Sequence, residues 1–225
     1  MQLTRSLRLS TAVVAAILGL TRPALAQGTM EHQHAMATTP GSDLRVGLNS
    51  LLKEHVYLAA ATTGAALGGR QDEFKSAAGA LDANSVALSQ AIGSVYGSDA
   101  ETAFLALWRK HIGFFVDYTT GVAKKDKKAQ DKAVQDLIGY ASDFAAFLSS
   151  ANPNLPASVV TDLVKSHVVG LKAAVDAQGQ KDYATAYAKT REAAAHMQMI
   201  ADPLADAIAK QFPEKFAMKL AVASC

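Results

Sequence analysis

Three short stretches that each end in histidine recur at one fixed interval. Leu52-Lys53-Glu54-His55 returns as Trp108-Arg109-Lys110-His111 and again as Val164-Lys165-Ser166-His167, so the histidines stand at 55, 111 and 167, a step of 56 residues taken twice. The flanks keep that step. Apolar residues return every three or four positions ahead of polar turns at 68–73, 124–130 and 178–182, and a second periodic stretch follows each turn. A helical hairpin of this length cannot bury its apolar face alone and needs neighbours of the same kind. The spacing therefore predicts an all-α chain of three tandem hairpins over 42–215, as a six-helix bundle or a short helical repeat. Helices are expected near 43–67, 71–96, 99–123, 127–151, 156–178 and 181–211. Ser98 and Glu101 have the form of a capping box, and Pro156 suits a first helical turn. Pro203, inside the sixth helix, should kink it.

The histidines fall on the apolar side of their helices. His55 lies between Leu51/Leu52 and Leu58/Ala59, His111 between Leu107/Trp108 and Phe114/Phe115, and His167 between Leu163/Val164 and Leu171. In the second helices the same step superposes Asn84, Tyr140 and His196 at one inward position. Polar groups placed inward need partners, since an unsatisfied one costs about 1–3 kcal/mol. Two readings follow. Each histidine bonds a neighbouring Asn, Tyr or carbonyl and fixes helix register, or some of them converge as ligands. Hairpins closed around a pseudo-threefold axis would bring three imidazoles to one point. Hairpins stacked as an open solenoid would keep equivalent residues about 10 Å or more apart.

Residues 1–26 read as a secretory signal: Arg5 and Arg8 precede the apolar run Thr11 to Leu20, and Ala24-Leu25-Ala26 offers a cleavage site before Gln27. That run is too short to span a bilayer, so the mature chain is expected to be periplasmic or secreted, without membrane insertion. The chain has 22 Lys+Arg against 20 Asp+Glu; Arg5, Arg8 and Arg22 leave with the signal and no acid does, which leaves 19 against 20. Such a balance provides no basic footprint for nucleic acid. Cys225 is the only cysteine, which excludes an internal disulfide. Residues 27–41 show no apolar periodicity and read as a disordered tail, and 216–225 as a C-terminal tail.

Soft-metal chemistry is concentrated near the histidines. Met30, His32, His34 and Met36 crowd into seven residues, and Met197 and Met199 follow His196 directly. Imidazole with thioether suits copper, the cuprous ion above all. The candidate metal residues are thus His55, His111, His167, His196, Met197 and Met199 within the helices, and His32, His34, Met30 and Met36 in the tail. Non-covalent haem between facing imidazoles is a rival, walled by Trp108, Phe114, Phe115, Tyr118 and Phe144. Glu192-x-x-x-His196 lacks the spacing and the second copy that a di-iron bundle requires. The common hydrolase, metalloprotease and dinucleotide motifs do not occur, so no enzyme is expected.

The segments KEHVYLAAATTGAALGG, ALDANSVALSQAIGSVYG, WRKHIGFFVDYT, FLSSANPNLP and REAAAHMQMIADPLA resemble a family of secreted bacterial helical-repeat proteins, some labelled copper amine oxidase domain proteins, over about 42–215. The resemblance implies copper and brings no catalytic motif. Copper amine oxidases proper are β-rich, so an all-helical chain shares that label and not that fold. The expected function is capture, storage or delivery of copper by a non-enzymatic envelope protein. The alternatives are a helical interaction module that docks another envelope protein, and a haem-binding bundle.

Overall fold

The computed structural model describes residues 39–216. The expected leader, Met30, His32, His34, Met36 and Cys225 lie outside the described residues. Among those described, all regular structure is helical: α1 (Pro40–Leu67), α2 (Gln71–Tyr96), α3 (Ser98–Lys124), α4 (Lys127–Ala151), α5 (Ala157–Gly179), α6 (Tyr183–His196), α7 (Gln198–Gln211) and the single turn α8 (Pro213–Phe216). The chain is all-α, as the repeat requires.

The repeat is reproduced down to the backbone of its turns. Gly69, Lys125 and Lys181, one step of 56 apart, all take positive φ, at 68°, 54° and 60°. The next residue in each turn donates its N–H back to the helix just ended, Arg70 to Ala65, Asp126 to Gly121 and Asp182 to Ala177, every bond 2.9 Å. These are helix ends closed by a left-handed residue, which satisfies carbonyls the helix leaves free. Asp126 and Asp182 then cap α4 and α6 by accepting from Ala129 N–H and Thr185 N–H. Arg70 makes no such side-chain bond for α2.

Hairpins α1–α2, α3–α4 and α5–α6 pack in chain order, and α7 then returns against α1. The row closes into a ring, with α1, α3 and α5 also touching one another. The seam is apolar, with Leu48, Leu52 and Val56 of α1 and Ala201, Leu204 and Ile208 of α7 in one buried cluster. Polar bonds fix its register: Asn49 Nδ2 donates to Asp202 Oδ1 at 2.8 Å, and Arg45 pairs with Asp206. Gln178 at the end of α5 donates to the Ala60 carbonyl and accepts from Thr63 Oγ1. At the opposite end, Tyr96 Oη donates to Gln211 Oε1, and Asn152 Nδ2 donates to Tyr96 Oη.

Four local expectations are corrected. The first helix begins at Pro40, inside the stretch read as tail, because Thr39 and Ser42 form a reciprocal capping box. Gly97, at φ 93°, stands before α3 with no side-chain cap bond, so Ser98 and Glu101 are not a capping box. Pro156 sits just outside α5, at its cap position, and leaves the first helical turn to Ala157. The sixth helix is interrupted at Met197, between α6 and α7, and α7 runs on through Pro203. A proline perturbs the turn that precedes it, where its ring meets the chain and a donor is missing.

A left-handed conformation costs a residue with a side chain about 1 kcal/mol relative to glycine. Lys125→Gly and Lys181→Gly are each expected to stabilise the fold by about 0.5–1 kcal/mol, and Arg70→Asp to add roughly as much by supplying the missing cap. Urea unfolding midpoints measure all three, and no gain at either lysine would show that the repeated turn is not a free-standing device.

Candidate metal centre

Ring closure decides where the repeated histidines go. Their helices α1, α3 and α5 meet inside the ring, each presenting its histidine from within the apolar stripe, and His55, His111 and His167 are 1%, 3% and 5% exposed. They meet. The ring centroid of His55 lies 5.4 Å from that of His111 and 5.9 Å from that of His167. Aromatic side chains wall the cluster. Trp108 meets His111 edge to face at 4.6 Å and His55 at 5.0 Å, and Tyr140 stacks on His111 at 4.9 Å.

The register-fixing alternative required each imidazole to bond a neighbour. Among the described residues, Nδ1 of all three histidines is buried without a hydrogen-bond partner, and so is Nε2 of His167. Tyr140 Oη and Trp108 Nε1 are orphaned beside them. Native interiors leave few such groups, and each calls for an explanation. Burial, reinforced by a neighbouring imidazole and opposed at His111 by the nearby Trp108 backbone, pushes each of the three rings down to a pKa of about 3. The site therefore holds three neutral imidazoles at ordinary pH, the protonation state in which histidine ligates a metal.

Three imidazoles sharing one ion at metal–nitrogen distances of about 2.0–2.1 Å place their ring centroids roughly 5–6 Å apart. The spacing found at His55 matches that. As the side chains stand, no group of three or more His, Cys, Asp or Glu among the described residues is placed to hold a metal ion. The His55 ring is tilted by 55° against that of His111 and by 48° against that of His167.

The other candidates divide. Met197, 1% exposed, lines a cavity of about 40 Å³ together with His111, His167 and Tyr140, on the side of the triad nearer the junctions between hairpins. The helix interruption falls at this residue. Met199 is 59% exposed and stands apart from the triad, because two positions along a helix turn a side chain to another face. His196 is half-buried, and its Nε2 donates to the Leu163 carbonyl at 3.2 Å. Asn84, one double step earlier, donates from Nδ2 to the Leu51 carbonyl at 3.0 Å with the same offset of 33 residues. His196 is thus a register bond of the repeat lying beside His167. The sequence named Trp108 as a wall only for the haem alternative and Tyr140 only as an inward polar position; that both pack on His111 comes from the tertiary structure.

Haem does not fit this geometry. The cavities flanking the triad measure about 100 and 40 Å³, well below the roughly 300–1,000 Å³ of ordinary ligand pockets.

The buried imidazoles set the acid stability of the apo protein. Unfolding returns them to water, where they titrate near pH 6.5, so the unfolded chain takes up protons that the folded one refuses. The stability they contribute is complete above that pH and is lost as pH falls toward about 3, by up to about 1.4 kcal/mol per unit per histidine. Urea midpoints of apo protein should fall steeply between pH 6.5 and 5, above the carboxylate range, and His111→Leu should remove about a third of the slope. A flat profile would falsify burial of three neutral rings.

No family model, no curated protein and no solved structure matches the chain; the triad itself is what its function has to be read from.

Proposed function

We propose that this chain is an envelope protein that binds a transition metal, copper first, at an inner site made by His55, His111 and His167. The observation that carries this reading is a set of four buried ring nitrogens without partners, on three imidazoles of which His55 stands 5.4 Å from His111 and 5.9 Å from His167. A purely structural cluster would leave those nitrogens at about 1–3 kcal/mol each, with nothing returned. Met197 is the argument for copper over zinc, since a buried thioether on one side of an imidazole set suits a soft ion. The resemblance to helical-repeat proteins labelled for copper points the same way. Met30, His32, His34 and Met36 would take up the ion first, and transfer inward would follow. Capture, storage or delivery is the activity in view. The interaction-module reading has no comparable observation behind it.

A ligand that binds only the folded state stabilises it by RT ln(1 + [L]/Kd), about 2.7 kcal/mol at a hundredfold excess over Kd. For a domain of this size that is roughly 5–10 °C in melting temperature. One equivalent of Cu(I) should raise the midpoint of the wild type by about that much. His111→Leu should leave apo stability unchanged or raise it by about 1 kcal/mol, because it replaces orphaned polar atoms by an apolar side chain of similar size. It should also abolish the copper-induced shift. Equal shifts in both proteins would remove His111 from the site and end this reading.

The tail has its own test. Deletion of residues 27–38, which spares the Thr39 cap, should lower copper stoichiometry in equilibrium dialysis and leave the apo melting temperature within a degree or two. An unchanged stoichiometry would leave the inner site as the whole of the metal-binding apparatus.

A further inference from the structure

In the ring α6 stands to α1 as α2 stands to α3. Across the α2–α3 interface Arg109 is met by Asp82 through two bonds, Nε to Oδ1 at 2.7 Å and Nη2 to Oδ2 at 2.8 Å. The step of 56 equates Arg109 with Lys53 and Lys165, and Asp82 with Ile138 and Ala194. At the interface that closes the ring, the cation is therefore kept and its carboxylate is missing. Ala194 is also the smallest side chain found at that position. Beside it the surface opens as a groove of about 560 Å³ between α1 and α6, lined by Lys53, Tyr57, Ala188, Arg191, Glu192 and Ala194 among others.

Arg191 adds a second cation to the same groove. Neither Lys53 nor Arg191 forms an ion pair among the described residues, and the acids nearby are engaged. Glu192 accepts from Lys189 at 2.7 Å, and Asp202, in the next stretch of groove along α1, accepts from Asn49 and Gln198. The outer face of α6 departs from the repeat as well. Where α2 and α4 carry Gln71 and Lys127, and one turn on Lys75 and Asp131, α6 carries Tyr183 and Tyr187, 59% and 72% exposed. Tyr57, on the α1 bank, is 51% exposed. Exposed tyrosine and arginine are what protein interfaces select, since each joins a broad apolar surface to a polar end. From Val46 to Tyr57 the α1 bank runs about 16 Å, room for about five residues of extended chain.

We propose that the α1–α6 groove is a docking site for an acidic peptide segment of a partner protein, whose carboxylate sits between Lys53 and Arg191 in the role that Asp82 plays for Arg109. Charge complementarity selects this occupant. Two cations without carboxylates, beside exposed tyrosine rings, suit a segment that carries both acidic and apolar side chains. A small free carboxylate would use the cations and leave the tyrosines and most of the length uncovered. None of the three clustered histidines lines the groove, so the docking site stands apart from any metal held there.

The probe is an acetylated, amidated peptide of two glutamates flanked by leucines, titrated into isotope-labelled protein and followed by amide chemical shifts, with its glutamine counterpart as control. In the wild type the shifts should centre on Lys53, Tyr57, Tyr187 and Arg191. The glutamine peptide should bind at least about tenfold more weakly, a change of about 1.4 kcal/mol. Ala194→Asp restores the repeat's own carboxylate beside Lys53 and should abolish binding. Ala194 is buried; should that variant fold poorly, Lys53→Gln combined with Arg191→Gln removes both cations from the surface. This double variant should lose the peptide at an unchanged melting temperature, because neither cation holds an ion pair. Shifts absent from the groove in the wild type overturn the proposal, and so does equal affinity for the two peptides. Binding to phosphatidylglycerol vesicles and not to the glutamate peptide would assign the cations to a lipid surface. A dimer in sedimentation that the double variant dissociates would assign the groove to a second copy of this chain. Either result overturns the acidic segment as its occupant.

Discussion

When α7 and α5 pack against α1, the third hairpin returns to the first and a row of hairpins becomes a ring. Apolar burial supplies most of the energy of that seam, through Leu48, Leu52 and Val56 on one side and Leu204 and Ile208 on the other. Its exposed pair Arg45–Asp206 contributes little to stability, as surface ion pairs do. Asn49 with Asp202 and Gln178 with α1 do something different. They allow one register of the closing helices and penalise a slip, because a shifted seam leaves their polar groups unpaired.

Closure has a price in free energy, and the triad carries it. An open stack of hairpins would keep equivalent histidines a helix diameter apart, each free to find water or a neighbour. In the ring they face one another, with four of their six ring nitrogens buried and unbonded. Trp108 and Tyr140 hold the arrangement by edge and stacking contacts with His111 and His55, and those contacts ask for no proton from the imidazoles. The result is a buried cluster of neutral imidazoles with unpartnered nitrogens, an arrangement that native cores seldom leave in place.

The repeat builds the scaffold, and its departures gather around the three histidines. The three turns are interchangeable in backbone geometry, and Asn84 and His196 make the same bond to the carbonyl 33 residues earlier. Differences gather around the histidines. Trp108 stands where the other hairpins have Leu52 and Val164, Ala59 where they have Phe115 and Leu171, and Met197 at a break that only the last hairpin contains. Each change alters one wall of the triad: an aromatic flank, a space on the turn side, a thioether on the other. A helix irregularity beside a candidate ligand is a common place for function to reside.

By itself the sequence determined the helices, their lengths to within a few residues, the three hairpins, and the inward direction of His55, His111 and His167. All of these follow from local periodicity and from one exact step, which are properties of neighbouring residues. It also marked Asn84, Tyr140 and His196 as one repeated polar position, although only two of them turned out to be bonded. It misplaced the start of α1, the cap of α3 and the interruption near Met197, where a single side-chain bond or one turn of strain outweighs periodicity. Met199 was lost for a similar reason, since adjacency to His196 in sequence says nothing of which helix face faces the ring. Only the tertiary structure decided that the hairpins close, and therefore that three histidines separated by 112 residues of chain share one place. An open stack and a closed ring bury the same stripes with the same periodicity. The choice between them lies in how side chains from the first and last hairpins fit at the seam, a relation between residues about 150 positions apart that no local pattern encodes.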